Sequence, residues 1–134
     1  MNSAALDTSV VMRLLTGMPE EQAQQALSEF TSRLTSGSRV FVSDLVISEA
    51  YFALQHHYQI PKAKALRLLS DFLCDSGVTA IGVAASVLVT PHLATAKPGF
   101  LDRMIHAEAL DVAEELLTFE KATKRLRHVC VLHG

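Results

Sequence analysis

Short apolar runs alternate along the chain with longer stretches of helical periodicity. Ala4 to Asp7 reads as a short buried strand. Thr8 and Ser9 can cap a first helix through Leu15, and Gly17 ends it. Pro19 opens a second helix, with Glu20 and Glu21 in its first turn, where the helix dipole favours acids. Ala23, Ala26, Leu27, Phe30 and Leu34 recur at helical spacing before Gly37 marks the stop. Val40 to Ser43 is β-branched and aromatic and predicts strand two. Helices follow from about Leu45 to His57 and from about Pro61 to Cys74, the latter burying Ala65, Leu68, Leu69 and Phe72. Val78 to Ile81 predicts a third strand. Between Gly82 and Gly99 there is room for one short helix near Ala84 to Val89, because Pro91 and Pro98 limit regular structure. Phe100 to Glu114 is helical by pattern, Leu116 to Thr118 is strand four, Lys121 to Leu126 a short helix, and Val129 to Leu132 a final edge strand.

Strands that alternate with helices argue for an α/β fold with a mainly parallel sheet of four to five strands, covered on both faces. The length, 134 residues, fits one domain over residues 1–134 with a core of its own. An apolar content of 49% argues against disorder. The net charge of -2 gives the whole chain no electrostatic attraction to nucleic acid, so any such attraction must be local. Cys74 and Cys130 lack metal-motif spacing; a disulfide between them is one reading, and a reduced, cytosolic pair is the expectation. The N-terminus has no basic region before an apolar stretch, and Asp7 interrupts its first apolar run, which argues against a signal peptide. The longest apolar run, Val78 to Val89, is too short to span a membrane as a helix. A cytoplasmic protein with no membrane contact is the expectation.

In open parallel sheets, ligands bind outside the carboxyl ends of the strands. That rule selects among the acids. Asp7 ends strand one, and its local alternative is helix capping, a task that Thr8 or Ser9 could take over. Glu49 lies among Val46, Ala50, Phe52 and Ala53, where an unsatisfied acid would be costly unless it faces solvent. Asp44, its closest rival, reads as a turn or cap residue. Asp102 lies in the first turn of the helix before strand four, where the dipole alone would favour it. His106 shares its face one turn on and is more simply a hydrogen-bond partner than a ligand. Glu108 and Asp111 read as a solvated face. Glu120 follows strand four, where Leu116 to Leu126, LLTFEKATKRL, turns from apolar to basic. Carboxylates gathered at one sheet edge repel unless a cation neutralises them, and Mg²⁺ or Mn²⁺ suits oxygen donors.

Four stretches in this order, ALDTSVVMRLL, VFVSDLVISEAYFAL, GFLDRMIHAEAL and LLTFEKATKRL, resemble the PIN-domain family. They look most like its VapC-like ribonuclease toxins of type II toxin–antitoxin pairs, over nearly the whole chain. The resemblance implies a three-layer α/β/α sandwich and a catalytic, metal-binding set at Asp7, Glu49, Asp102 and Glu120. It also implies a role for Thr118 beside Glu120, and matches Thr8 to the hydroxyl residue after the first acid. Glu120 stands where relatives more often carry Asp, so a second metal site would depend on its extra methylene. The implied activity is Mg²⁺- or Mn²⁺-dependent hydrolysis of RNA phosphodiesters, leaving a 5′-phosphate and a 3′-hydroxyl. The implied partners are an RNA substrate, a cognate antitoxin and a second copy of the chain.

RNA would be held through phosphate contacts, for which Arg13, Arg103, Lys121, Lys124, Arg125 and Arg127 are the candidates. Tyr51, Phe52 and Tyr58 could stack bases, with core or interface packing as the simpler role. Two other functions stay open at this point. One is a non-catalytic PIN-like module that binds RNA or protein. The other is a metal-dependent phosphohydrolase acting on small phosphoesters.

Overall fold

The computed structural model describes residues 2–133. The elements run β1 (Ser3–Ala5), α1 (Thr8–Thr16), α2 (Glu20–Thr35), β2 (Arg39–Ser43), α3 (Asp44–His56), α4 (Lys62–Asp75), β3 (Thr79–Ile81), α5 (Ala84–Leu88), α6 (Phe100–Val112), β4 (Leu116–Thr118) and β5 (Val129–Val131). Short 3-10 turns cover Leu93–Thr95 and Lys121–Arg125. The chain is therefore a parallel α/β protein, as the alternating pattern predicts.

β1, β2 and β3 pair in parallel in that order, and β4 pairs in parallel with β5. Among the described residues the strands thus number five, hydrogen-bonded as three plus two rather than as one continuous ladder. Parallel neighbours need crossovers, which α1 with α2 and α3 with α4 supply. The pairing also aligns the strand ends. Asp7 lies just beyond β1, Asp44 directly follows β2, and Gly82 directly follows β3, so all three stand at one carboxyl edge.

The core explains why these helices form. On α3, Ile47, Ala50, Tyr51 and Leu54 recur at helical spacing and are buried. On α4 the buried positions are Ala65, Leu66, Leu69 and Phe72, while Leu68, expected inside, is only half-buried. Val40 and Val42 of β2 point into the same cluster, with Phe41 between them on the other face. Full burial of one such aliphatic side chain stabilises by roughly 1.5–3 kcal/mol. Among the described residues, no buried side-chain polar atom lacks a hydrogen-bond partner. The cysteines are free, with Cys74 exposed and Cys130 half-buried. Among the described residues, no helix is long and apolar enough to cross a membrane.

The segment 82–99 holds α5 and one 3-10 turn, close to the single short helix expected there. Its anchor is Asp44. Ser43 caps α3 by accepting from the Val46 N–H, so Asp44 is the first helical residue rather than the cap. Its carboxylate is buried and accepts from the N–H of Val83, at 3.1 and 3.0 Å to the two oxygens, and of Ala84, at 2.9 Å. Gly82 makes this approach possible. It adopts φ +102°, and a Cβ there would fall on the Asp44 carboxylate.

Candidate active site

Asp7 is the N-cap of α1, which corrects the expectation that Thr8 or Ser9 takes that task. Its Oδ1 accepts from the Ser9 hydroxyl at 2.6 Å and from the Val10 N–H at 3.1 Å. These bonds, the Ser9 hydroxyl foremost and then the Val10 N–H, hold the Asp7 carboxyl below its ordinary pKa. Capping does not exhaust the group. Asp7 is exposed, and the bonds from the Ser9 hydroxyl and the Val10 N–H both fall on Oδ1.

Capping by Asp7 frees the Thr8 hydroxyl, which donates to Glu49 Oε1 at 2.6 Å. This bond ties the start of α1 to the second turn of α3, across two residues 41 apart in sequence. Glu49 is exposed on α3, so it avoids the cost of burial among its apolar neighbours. Asp102 is exposed in the first turn of α6. Glu120 is exposed just after β4, where its backbone N–H donates to Thr118 Oγ1 at 2.9 Å. Thr118 therefore shapes the turn that carries Glu120.

The four acids share the chemistry of hard oxygen donors, which suits Mg²⁺ or Mn²⁺. Their side chains do not converge in this conformation: among the described residues, no group of three or more His, Cys, Asp or Glu could hold a metal ion. The donor types fit a divalent cation, and the Thr8 hydroxyl ties Glu49 to the residue that follows Asp7. His106 is not turned to Asp102, because its Nε2 lies 2.7 Å from the Arg127 carbonyl.

The candidate phosphate contacts divide. Arg13 is half-buried, with Nε donating to Gln22 Oε1 at 2.9 Å. Arg103 is also held, its Nε donating to the Pro98 carbonyl at 2.8 Å. Lys121, Lys124, Arg125 and Arg127 are exposed, and none is in an ion pair among the described residues. Tyr51 is buried, edge-on to Phe100 with ring centroids 4.9 Å apart, so it is a core residue. Its burial raises the phenol above its ordinary pKa.

One acidic pair was not visible in the sequence. Asp44 reads there as a turn residue and Glu108 as part of a solvated face. In the fold the Glu108 carboxyl, though exposed, hydrogen-bonds to Asp44. That bond above all raises its pKa, with desolvation and the charges of Asp44 and Asp111 adding to it. A cavity of about 410 Å³ lies between β1, α1 and α2, floored by residues such as Leu6, Val10 and Phe30. It is not lined by any of the four acids and meets the neighbourhood of Asp7 through Leu6, Ser9 and Val10. The exposed acids instead stand on open surface, which suits a polymer better than a small ester that needs enclosure.

The sequence pattern of the family described as PIN domain matches residues 4–129. No curated protein and no solved structure is detectably similar to the chain.

Proposed function

The chain belongs to the PIN domain family, generally a nuclease fold, and on that premise we propose that it is a Mg²⁺- or Mn²⁺-dependent endoribonuclease. We further propose that it is the VapC-like toxin of a type II toxin–antitoxin pair, a cytoplasmic homodimer restrained by a cognate antitoxin. The observation that carries the nuclease reading is the 2.6 Å bond from Thr8 to Glu49, which ties the second acidic position to the residue that follows the first, Asp7.

In this reading Asp7, Glu49 and Asp102 would hold the cation, with Glu120 as a further donor. When bound, the ion would lower the pKa of a water and stabilise charge on the phosphoryl oxygens. The chain's own groups have separate tasks. Ser9 and the Val10 N–H fix Asp7 Oδ1 at the start of α1 and favour its ionised form. Thr8 fixes the Glu49 carboxylate against the start of α1. Thr118 holds the turn that presents Glu120. Lys121, Lys124, Arg125 and Arg127 would bind the RNA backbone.

The test is cleavage of mixed cellular RNA by wild type and Asp7→Asn, with Mg²⁺, Mn²⁺ or EDTA. Cleavage by wild type with either metal, lost in Asp7→Asn and in EDTA, supports the reading. One observation favours a second reading, a non-catalytic RNA-binding module: the acids do not converge as a metal-holding group. That reading predicts RNA binding without cleavage at any enzyme concentration.

A further inference from the structure

The α3 helix continues past Glu49 with a feature that none of the acids explains. Phe52 is 51% exposed, although an aromatic ring gains most from burial. It is nonetheless ordered against a partner. The His56 ring lies 4.2 Å from it, centroid to centroid, tilted by 36°, and the His57 ring stands edge-on at 6.2 Å. A preformed, half-open stack of rings results.

Helical geometry sets its position. Glu49, Phe52 and His56 are three and seven residues apart on α3, so they share one face. At about 1.5 Å rise per residue, the rings stand about 5–10 Å along the axis from Glu49. That is a reach of one to three stacked nucleotides at about 3.4 Å each.

Charge changes sign along the same path. Between Glu49 and Asp71 there is no acid, while Lys62, Lys64 and Arg67 all fall there. The loop from α3 folds back through the Ile60 N–H, which donates to the Leu54 carbonyl at 2.9 Å, and delivers exposed Lys62 and Lys64 on the first turn of α4. An open aromatic stack beside a basic segment has the two elements that single-stranded nucleic acid requires, a π-face for a base and cations for its phosphates. A second copy of the chain is a poorer fit, because the charged Glu49 interrupts the apolar face between Leu45 and Phe52.

We propose that the Phe52–His56 stack is a base-binding platform for single-stranded RNA, with Lys62 and Lys64 holding the adjoining phosphates, and that it positions the strand leading to Glu49. The positioning rests on the nuclease reading above, whereas the platform itself is tested by binding alone.

The probe is a short single-stranded oligoribonucleotide with 2-aminopurine at successive positions, bound to the full chain in EDTA so that no cleavage intervenes. Wild type should quench the fluorescence at one or two positions. Phe52→Ala and His56→Ala should each abolish that quench and weaken binding roughly 5- to 150-fold. Phe52→Tyr should retain both. Lys62→Gln with Lys64→Gln should weaken binding at all sequences alike and reduce the salt slope by about 1.4. The proposal is overturned if Phe52→Ala and His56→Ala quench like wild type. It is equally overturned if wild type binds no RNA, or if Phe52→Ala lowers the sedimentation mass while leaving the quench intact, which would assign the face to a second copy. Wild-type cleavage in Mg²⁺ or Mn²⁺ separates the two ideas. Cleavage without a Phe52-dependent quench removes the platform and keeps the nuclease; a quench without cleavage does the reverse.

Discussion

Asp44→Ala should be among the most destabilising single substitutions in the chain, although sequence alone makes Asp44 an ordinary turn residue. The carboxylate accepts from two backbone N–H groups, those of Val83 and Ala84, and is itself 9% exposed. Val83 and Ala84 are buried too, at 8% and 1% exposure, so their N–H groups would gain no ready access to water. A hydrogen bond to a charged acceptor contributes about 1.5–3 kcal/mol, and two such bonds are lost. A water entering the gap and relief of the Glu108 contact would return part of this. The expected net cost is about 3 kcal/mol, a large share of the roughly 5–15 kcal/mol typical of a domain. Urea unfolding followed by far-ultraviolet circular dichroism should show it as a midpoint lowered by about 1–3 M, given slopes of about 1–3 kcal/mol/M. Gly82→Ala probes the same contact from the other side, because its Cβ would displace the carboxylate and the positive φ adds strain of about 1–3 kcal/mol. The two substitutions should be non-additive, Gly82→Ala costing less once Asp44 is Ala. A loss under about 1 kcal/mol for Asp44→Ala, or strict additivity with Gly82→Ala, would refute the anchoring role.

Thr8→Val removes the hydroxyl that donates to Glu49 but keeps the shape, so cleavage should fall about tenfold or more while the urea midpoint barely moves. Equal activity in the variant would show that Glu49 needs no such tether. The Glu108 pKa is raised above its ordinary 4.5, so the folded state binds that proton more tightly than the unfolded chain. Its contribution to stability is therefore fully present below 4.5 and is lost as pH rises through the raised value. Urea midpoints across that window should fall less steeply for Glu108→Gln than for wild type, and parallel curves would contradict the Asp44 contact. Lys124→Gln with Arg125→Gln should weaken RNA binding without sequence preference and reduce the salt dependence of the binding constant by about 2 in slope. Filter binding at several salt concentrations measures both, and an unchanged slope would take these two residues off the phosphate path.

What the sequence makes legible is what local chemistry controls. The β-branched and aromatic run from Val40 marks β2, helical spacing marks the faces of α3 and α4, and the rule of carboxyl-edge sites selects Asp7 and Glu49, which the fold then links through Thr8. The rest depends on partners distant in sequence. Asp44 finds its donors 39 and 40 residues away, so no window around DLVISE reveals a buried anchor. Gly82 carries the matching signal, but a glycine after a strand reads equally well as a turn. The split of five strands into three and two is likewise unreadable, because strand pairing is non-local and β4 has only three residues. Ser9 and Thr8 were interchangeable as caps by residue type. Only the backbone decides that Asp7 caps, Ser9 supports it, and Thr8 turns to Glu49.

The most direct test of the proposed function is cleavage of cellular RNA by wild type and Asp7→Asn, each with Mg²⁺, Mn²⁺ or EDTA, with the ends of any products identified. The expected result is wild-type cleavage with Mg²⁺ or Mn²⁺, leaving 5′-phosphate and 3′-hydroxyl ends, and none in Asp7→Asn or in EDTA. Cleavage that persists through both the substitution and the chelator, or that leaves 2′,3′-cyclic phosphate ends, would contradict it.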